Sequence, residues 1–198
     1  DDLLGMAVVG RKFNGDWLIW NRAWCNKIVL ERRKKIAPKL EKLQKIGELV
    51  IVERVGPDCD EFGRICGQIA EAGKLYMIGL DPMKKGSLED GICKAGGIDA
   101  DLIVGVSQGW RLSEHIQTLE RKLAAGQAYH ANQELMNWCV GNAKSVVKGS
   151  NQLITKESAG IHKIDPLIAT FNAVGLISQA PDAPKPSVYE TRGIRMIG

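Results

Sequence analysis

The stretch "KLYMIGLDP", residues 74–82, decides how the rest of the chain is read. After Lys74 it carries no charge until Asp81, and it has the length of a strand rather than a helix. A strand apolar at nearly every position is covered on both faces, which is the situation of a parallel sheet with crossover helices. Asp81-Pro82 then closes the run. In open α/β sheets ligands gather at the carboxyl ends of strands. The same dipeptide is also a plain turn or helix start, favoured for local reasons alone.

Reading outward supports a helix-linked arrangement. Upstream, "DCDEFGRICGQIAEAG" (58–73) has acids in its first turn, an apolar face of Phe62, Ile65, Ile69 and Ala72, and Gly73 past its end. Before it, "GELVIVERV" (47–55) is a compact apolar run. Downstream, residues 86–96 read as a short helix and "DLIVGVSQGW" (101–110) as another buried strand. Strands at 48–54, 74–80 and 102–106, separated by helices, predict a parallel set with helices on its faces. At the start, "DDLLGMAVVGR" (1–11) and "DWLIWNRAWC" (16–25) are two strands, with Asn14-Gly15-Asp16 supplying hairpin turn chemistry, so the same sheet gains an antiparallel side. Helices are expected at 113–125 and 131–140. "AKSVVKGSNQLITKES" (143–158) reads as a second hairpin with Gly149-Ser150-Asn151 at its tip. A closing helix from Ile164 repeats apolar residues at Leu167, Ile168, Phe171, Val174 and Ile177. The expected architecture is a mixed α/β sheet flanked by helices over residues 1–180. Residues 181–198, proline-rich and without periodicity, are expected to form a flexible tail.

Composition narrows the function. Of 198 residues, 44% are hydrophobic and 25% charged, near average for a globular domain. No apolar run is long enough for a membrane helix, and no signal peptide is read at the start. Cys25, Cys59, Cys66, Cys93 and Cys139 are odd in number and never spaced as C-x-x-C, which argues against a disulfide framework or zinc ribbon and fits a reducing cytoplasm. The net charge of +4 is mild. Residues 31–45, "ERRKKIAPKLEKLQK", hold seven Lys or Arg against two Glu, either a phosphate-contacting helix or a solvated surface. There is no G-x-x-x-x-G-K-[ST] phosphate loop, no G-x-G-x-x-G after a strand and no G-x-S-x-G elbow.

The residues left to carry chemistry are acids. Asp165-Pro166, at the start of the last helix, repeats the dipeptide of Asp81-Pro82. Two such carboxylates can share a hard divalent cation such as Mg²⁺. Two ions together can assist hydrolysis of a phosphodiester. His162 lies three residues before Asp165 and would share its face if the helix extended back that far. Asp165 is equally an ordinary first-turn acid, and His162 equally a cap-region side chain.

Taken in order, "DDLLGMAVVGR", "GLDP", "VGVSQGWRLSEHIQTLERKLAAG", "HANQELMNWCVGNAK" and "ITKESAGIHKIDPLIATFNAVGLI" resemble the C-terminal nuclease domain of the large terminase subunit of tailed bacteriophages. The resemblance spans most of residues 1–180. It implies an RNase H-like fold with an extra C-terminal β-hairpin, and a DNA endonuclease that cuts concatemeric phage DNA during packaging with two Mg²⁺ or Mn²⁺ ions. Asp81 matches the acid ending the central strand and Asp165 the acid on the closing helix. His162 is similar to a histidine found there in some members, and Asn142 lies in a supporting motif. The family's first metal acid sits on an opening strand, so its counterpart is expected upstream of Asp1 or at Asp1 or Asp2. The implied partners are double-stranded DNA, an ATPase motor domain, the small terminase subunit and the portal, in the cytoplasm of a bacterial host. A non-catalytic DNA-binding or packaging-assembly module of the same fold is the alternative, and a small-molecule enzyme on a mixed α/β sheet a third.

Overall fold

The computed structural model describes residues 2–54, 56–157 and 162–181. The tail assigned to residues 181–198 therefore lies outside the described residues except for Pro181, and Asp1 lies outside them too. Two strands open the fold. β1 (Leu4–Arg11) and β2 (Trp17–Asn26) pair antiparallel from Leu4↔Trp24 to Arg11↔Trp17. Their turn is built as the sequence indicates: Asn14 Oδ1 accepts from the Asp16 amide at 3.1 Å, and Gly15 takes φ +89°, a conformation that favours glycine.

β2 is the organising strand. Its second edge is shared, pairing in parallel with β3 (Leu49–Val52) through residues 23–26 and with β6 (Ala128–His130) through residues 17–19. Between β2 and β3 run two short helices, α1 (Ile28–Arg32) and α2 (Ala37–Lys45), the second with Pro38 in its first turn. Pro38 thus marks a helix start, as its missing N–H and fixed φ favour there.

The parallel strands from the middle of the sequence do not all join one ladder. β4 (Ile78–Leu80) and β5 (Ile103–Gly105) pair in parallel with each other, while β3 is taken by β2. The expectation of one sheet through 48–54, 74–80 and 102–106 is corrected in this respect: apolar continuity marks burial and cannot say which neighbour a strand selects. Crossover helices are present, with α3 (Pro57–Glu71) before β4 and α4 (Pro82–Gly96) between β4 and β5. Both strands are shorter than their apolar runs, and β5 is bracketed by 3₁₀ turns at Ala100–Leu102 and Gly109–Leu112. α5 (Ser113–Ala124), α6 (Glu134–Gly141), the hairpin of β7 (Ala143–Lys148) and β8 (Asn151–Lys156), and α7 (Asp165–Gln179) complete the order. No described helix is long and apolar enough to cross a membrane.

Strand alternation sends neighbouring residues to two different cores. On one face, Trp24 and Met6 pack with Phe62 and Cys66 of α3 and with Ile78 and Leu80. Trp24 is fully buried, its indole Nε1 donates to Glu61 at 2.8 Å, and its ring lies 6.1 Å from that of Phe62. On the other face, Ile19, Ala23 and Cys25 pack with Leu167, Phe171 and Val174 of α7. Glycines set the closest approaches. A Cβ on Gly96 of α4 would come within 2.3 Å of the Gly63 carbonyl oxygen of α3, so these helices touch backbone to backbone. A Cβ on Gly5 of β1 would sit 2.6 Å from the Asp165 carbonyl carbon and the Pro166 nitrogen.

That contact makes a testable demand. Gly5→Ala must push the start of α7 off β1 and should destabilise by about 1–3 kcal/mol, as overpacking of a filled site does. In a domain of this size each kcal/mol lowers Tm by roughly 2–4 °C. Gly10→Ala, whose added Cβ meets nothing within 4 Å, is the control and should melt with the parent.

Candidate functional site

Asp81 ends β4 and caps α4. Its Oδ1 accepts from the Met83 amide at 2.9 Å, while its main-chain oxygen accepts from the Lys84 and Lys85 amides. The local reading of Asp81-Pro82 is therefore correct as far as it goes: this acid starts a helix. The cap occupies one carboxylate oxygen, and Asp81 is among the residues lining a cleft of about 1020 Å³. Asp165, the first helical residue of α7, lines the same cleft. Lys84 and Lys156 border it as well.

The two acids differ in environment. Asp165 Oδ2 is buried and has no hydrogen-bond partner among the described residues. Burial raises its pKa above the usual carboxylate range, with the charge of Asp2 adding to the shift and Lys156, Lys84 and Lys163 opposing it. A buried carboxylate oxygen without a donor carries a full desolvation penalty unless a cation or proton meets it.

His162 is half-buried and precedes the helix, because α7 begins at Asp165 with Ile164 at its cap. The shared helical face that would have joined His162 to Asp165 is absent, and His162 is not among the residues lining the cleft. Asn142 is buried, and its Nδ2 donates to the Lys163 carbonyl at 3.0 Å, fixing the segment that leads into α7. Its part is positioning.

The residue that sequence reasoning passed over is Lys163. It is 1% exposed, and its Nζ donates to Asp2 Oδ1 at 3.0 Å, where Lys156 Nζ also converges at 3.1 Å. The Lys163 hydrogen bond, followed by that of Lys156, holds the Asp2 carboxyl well below the usual range. Its stabilisation is therefore present above the ordinary carboxylate pKa and lost as pH falls through the lowered one. Asp2 thus sits near Asp165 but is committed to two ammonium groups, which makes it a poor stand-in for a metal-binding acid. Nothing in "IHKID", where Lys163 stands between His162 and Ile164, marks it as buried.

Among the described residues, no three His, Cys, Asp or Glu side chains gather as a ligand set. The donors present fit a hard cation in part: Asp165 has a buried oxygen without a partner among the described residues, Asp81 has the oxygen its cap leaves unused, and both residues line one cleft. The cysteines take no part. Burial lifts the Cys66 and Cys139 thiols up to about 12, which keeps them protonated and unreactive. On the basic segment, Lys39 and Lys42 both pair with Glu134 of α6, so part of its charge is already neutralised.

No protein-family model matches the chain, and no curated protein does. Among solved structures, the crystal structure of the HK97 bacteriophage large terminase matches with a TM-score of 0.69 and 23% sequence identity over 88% of this chain. The chain spans 36% of the length of that protein. At this identity the likeness establishes a shared mixed α/β fold.

The raised pKa of Asp165 has a definite sign. Its folded-state pKa lies above the unfolded value, so ionisation opposes folding, and the penalty grows as pH rises from the unfolded pKa through the folded one. Asp165→Asn, which cannot ionise, should raise Tm relative to the parent at pH 7–8. The difference should shrink as pH is lowered toward about 4. Melting curves of both proteins across that range check it.

Proposed function

We propose that residues 1–180 form an RNase H-like, divalent-metal-dependent DNA endonuclease domain that cuts concatemeric phage DNA during genome packaging. The observation that carries this reading is the buried oxygen of Asp165, without a partner among the described residues, on a residue that lines the same cleft as Asp81, in a fold shared with a phage large terminase. Bound Mg²⁺ or Mn²⁺, two ions in this reading, supplies activation of water and charge neutralisation for phosphodiester hydrolysis. The chain's own residues prepare the site. Asp81 is held rigid by its helix cap, Asp165 presents an oxygen that a cation would relieve, and Lys84 and Lys156 draw phosphate groups to the cleft. His162 stands outside the cleft lining and is assigned a supporting place at most. In this reading double-stranded DNA is the substrate, and the domain works with an ATPase motor, the small terminase subunit and the portal in the host cytoplasm.

One observation favours a second reading. The described residues hold no complete three-ligand set, which suits a DNA-binding or packaging-assembly module that does not cut. Cleavage of supercoiled plasmid in Mn²⁺ or Mg²⁺ separates the two. The parent is expected to cut, and Asp81→Asn and Asp165→Asn to lose on the order of 10²-fold or more in rate, as removal of a group stabilising transition-state charge does. Asn caps a helix as well as Asp, so Asp81→Asn removes charge without removing the cap. Cutting that survives in both folded variants overturns the nuclease assignment to these acids. DNA binding that falls steeply with salt, with no cutting by the parent, supports the second reading.

A further inference from the structure

The fold uses the basic segment at its two ends and not in its middle. Lys39 and Lys42 pair with Glu134 of α6, and Lys27, ahead of the segment, pairs with Glu53. Between them Arg32, Arg33, Lys34 and Lys35 follow one another through the end of α1 and the turn into α2. Lys34 and Lys35 are exposed, and no ion pair reaches either of them among the described residues. The positions three and four residues on, Ala37, Pro38 and Lys39, supply no acid. A solvated surface ordinarily mixes both signs of charge, and like charges held side by side repel. The turn nonetheless has a fixed shape. The Arg33 amide donates to the Val29 carbonyl at 2.8 Å, the Ile36 amide donates to the Arg33 carbonyl at 2.9 Å, and Ile36 is buried in the core.

The turn also belongs to the end of the sheet that holds the candidate acids. The pair Leu4↔Trp24 puts Asp2 and the end of β2 together, and the field of the buried Lys163 ammonium reaches Cys25 there. Asp2 in turn shares a small pocket with Lys84, just past Asp81. α1 opens at Ile28, two residues beyond β2, so Lys34 stands within about 20 Å of the strand end. A DNA duplex covers that span in less than one helical turn of about 34 Å. Residues 32–35 offer charge and no apolar side chain, whereas protein interfaces are depleted in lysine and rest on buried apolar anchors. A polyanion is the partner that this chemistry suits. Taking DNA as substrate from the nuclease reading, on which this step rests, we propose that the α1–α2 turn is a second phosphate contact that holds the duplex on the β3 side of the sheet, away from the cleft. Lys84 and Lys156 stand at the cleft end of the track, and Lys34 and Lys35 stand at the other. Such a contact fixes where the duplex lies without reading its bases.

Binding of a fluorescein-labelled duplex of about two helical turns is followed by anisotropy over a series of salt concentrations. EDTA is present, so cutting plays no part. The parent is compared with Lys34→Gln/Lys35→Gln, with Lys34→Arg/Lys35→Arg, and with Lys94→Gln/Arg121→Gln, which removes two exposed charges elsewhere. Melting curves check that each chain is folded. Lys34→Gln/Lys35→Gln is expected to bind about 5–50-fold more weakly near 0.1 M salt, with the slope of log K against log salt shallower by about 1–2. The arginine pair keeps the charge and should match the parent, and the Lys94→Gln/Arg121→Gln chain should keep the parent's slope. An unchanged slope in Lys34→Gln/Lys35→Gln, an equal change in the control chain, or no DNA binding by the parent overturns the proposal and leaves the turn to solvent or an acidic protein. A parent that leaves plasmid uncut in Mg²⁺ or Mn²⁺, while its salt slope still depends on Lys34 and Lys35, loses the nuclease activity and keeps this contact.

Discussion

The structure depends on how closely α7 approaches β1. At Gly5 the helix start and the strand are in backbone contact, with room for a hydrogen and not for a methyl group. That approach sets where Asp165 stands, and it lets Leu167, Phe171 and Val174 reach the face of β2. Asn21 reinforces it from below: its Nδ2 donates to Thr170 Oγ1 at 2.9 Å and also reaches the Pro166 carbonyl at 3.4 Å. At the other end of the helix, Arg11 closes the same pair of elements through the carbonyls of Ile177, Ala180 and Pro181. The helix is pinned along its length, so the acid at its first residue is held by the whole sheet rather than by a loop.

Charge around that acid is arranged in opposition. Lys163 is buried and satisfied by Asp2, and Lys156 pairs with Asp2 from the hairpin. Both ammonium groups favour ionisation of Asp165 by their field, yet neither bonds to its Oδ2. Burial outweighs them, and the carboxylate is left with unspent capacity for a positive charge. Replacing a lysine here changes two acids at once: it releases Asp2 and withdraws part of the field at Asp165. Such groups titrate as a set.

Much of the fold could be read in the sequence because its signals are local. The Asn14-Gly15-Asp16 turn, the first-turn acids and Gly73 that bound α3, and the periodicity of α7 each depend on a few adjacent residues, whereas α4 begins at Pro82, ahead of the helix read at 86–96. Pairing partners were less legible. "GELVIVERV" reads as a strand, but nothing within it says that it joins β2, and β6 is too short to show a pattern. The site divides in the same way. Asp81 and Asp165 carry a visible dipeptide signal, and both are among the residues lining one cleft. Lys163 is buried by an ion pair formed across the chain, a contact that leaves no trace in spacing. For His162 the condition of a shared helical face is not met, because the helix begins at Asp165.

The divided edge of β2 bears on the order in which the protein can fold. Its pairing with β1 closes a short turn, an event of microseconds for a hairpin. Pairing with β6 joins Trp17 to Ala128 and cannot form until more than a hundred intervening residues have been gathered. β3, at intermediate separation, shares the same edge and extends the template toward its far end. Chain entropy thus favours the local hairpin first, and of the three ladders on β2 the one that closes the longest loop is also the shortest. Contact order therefore singles out β6, with the α5 and α6 segments around it, as the part of the fold whose closure costs the most chain entropy.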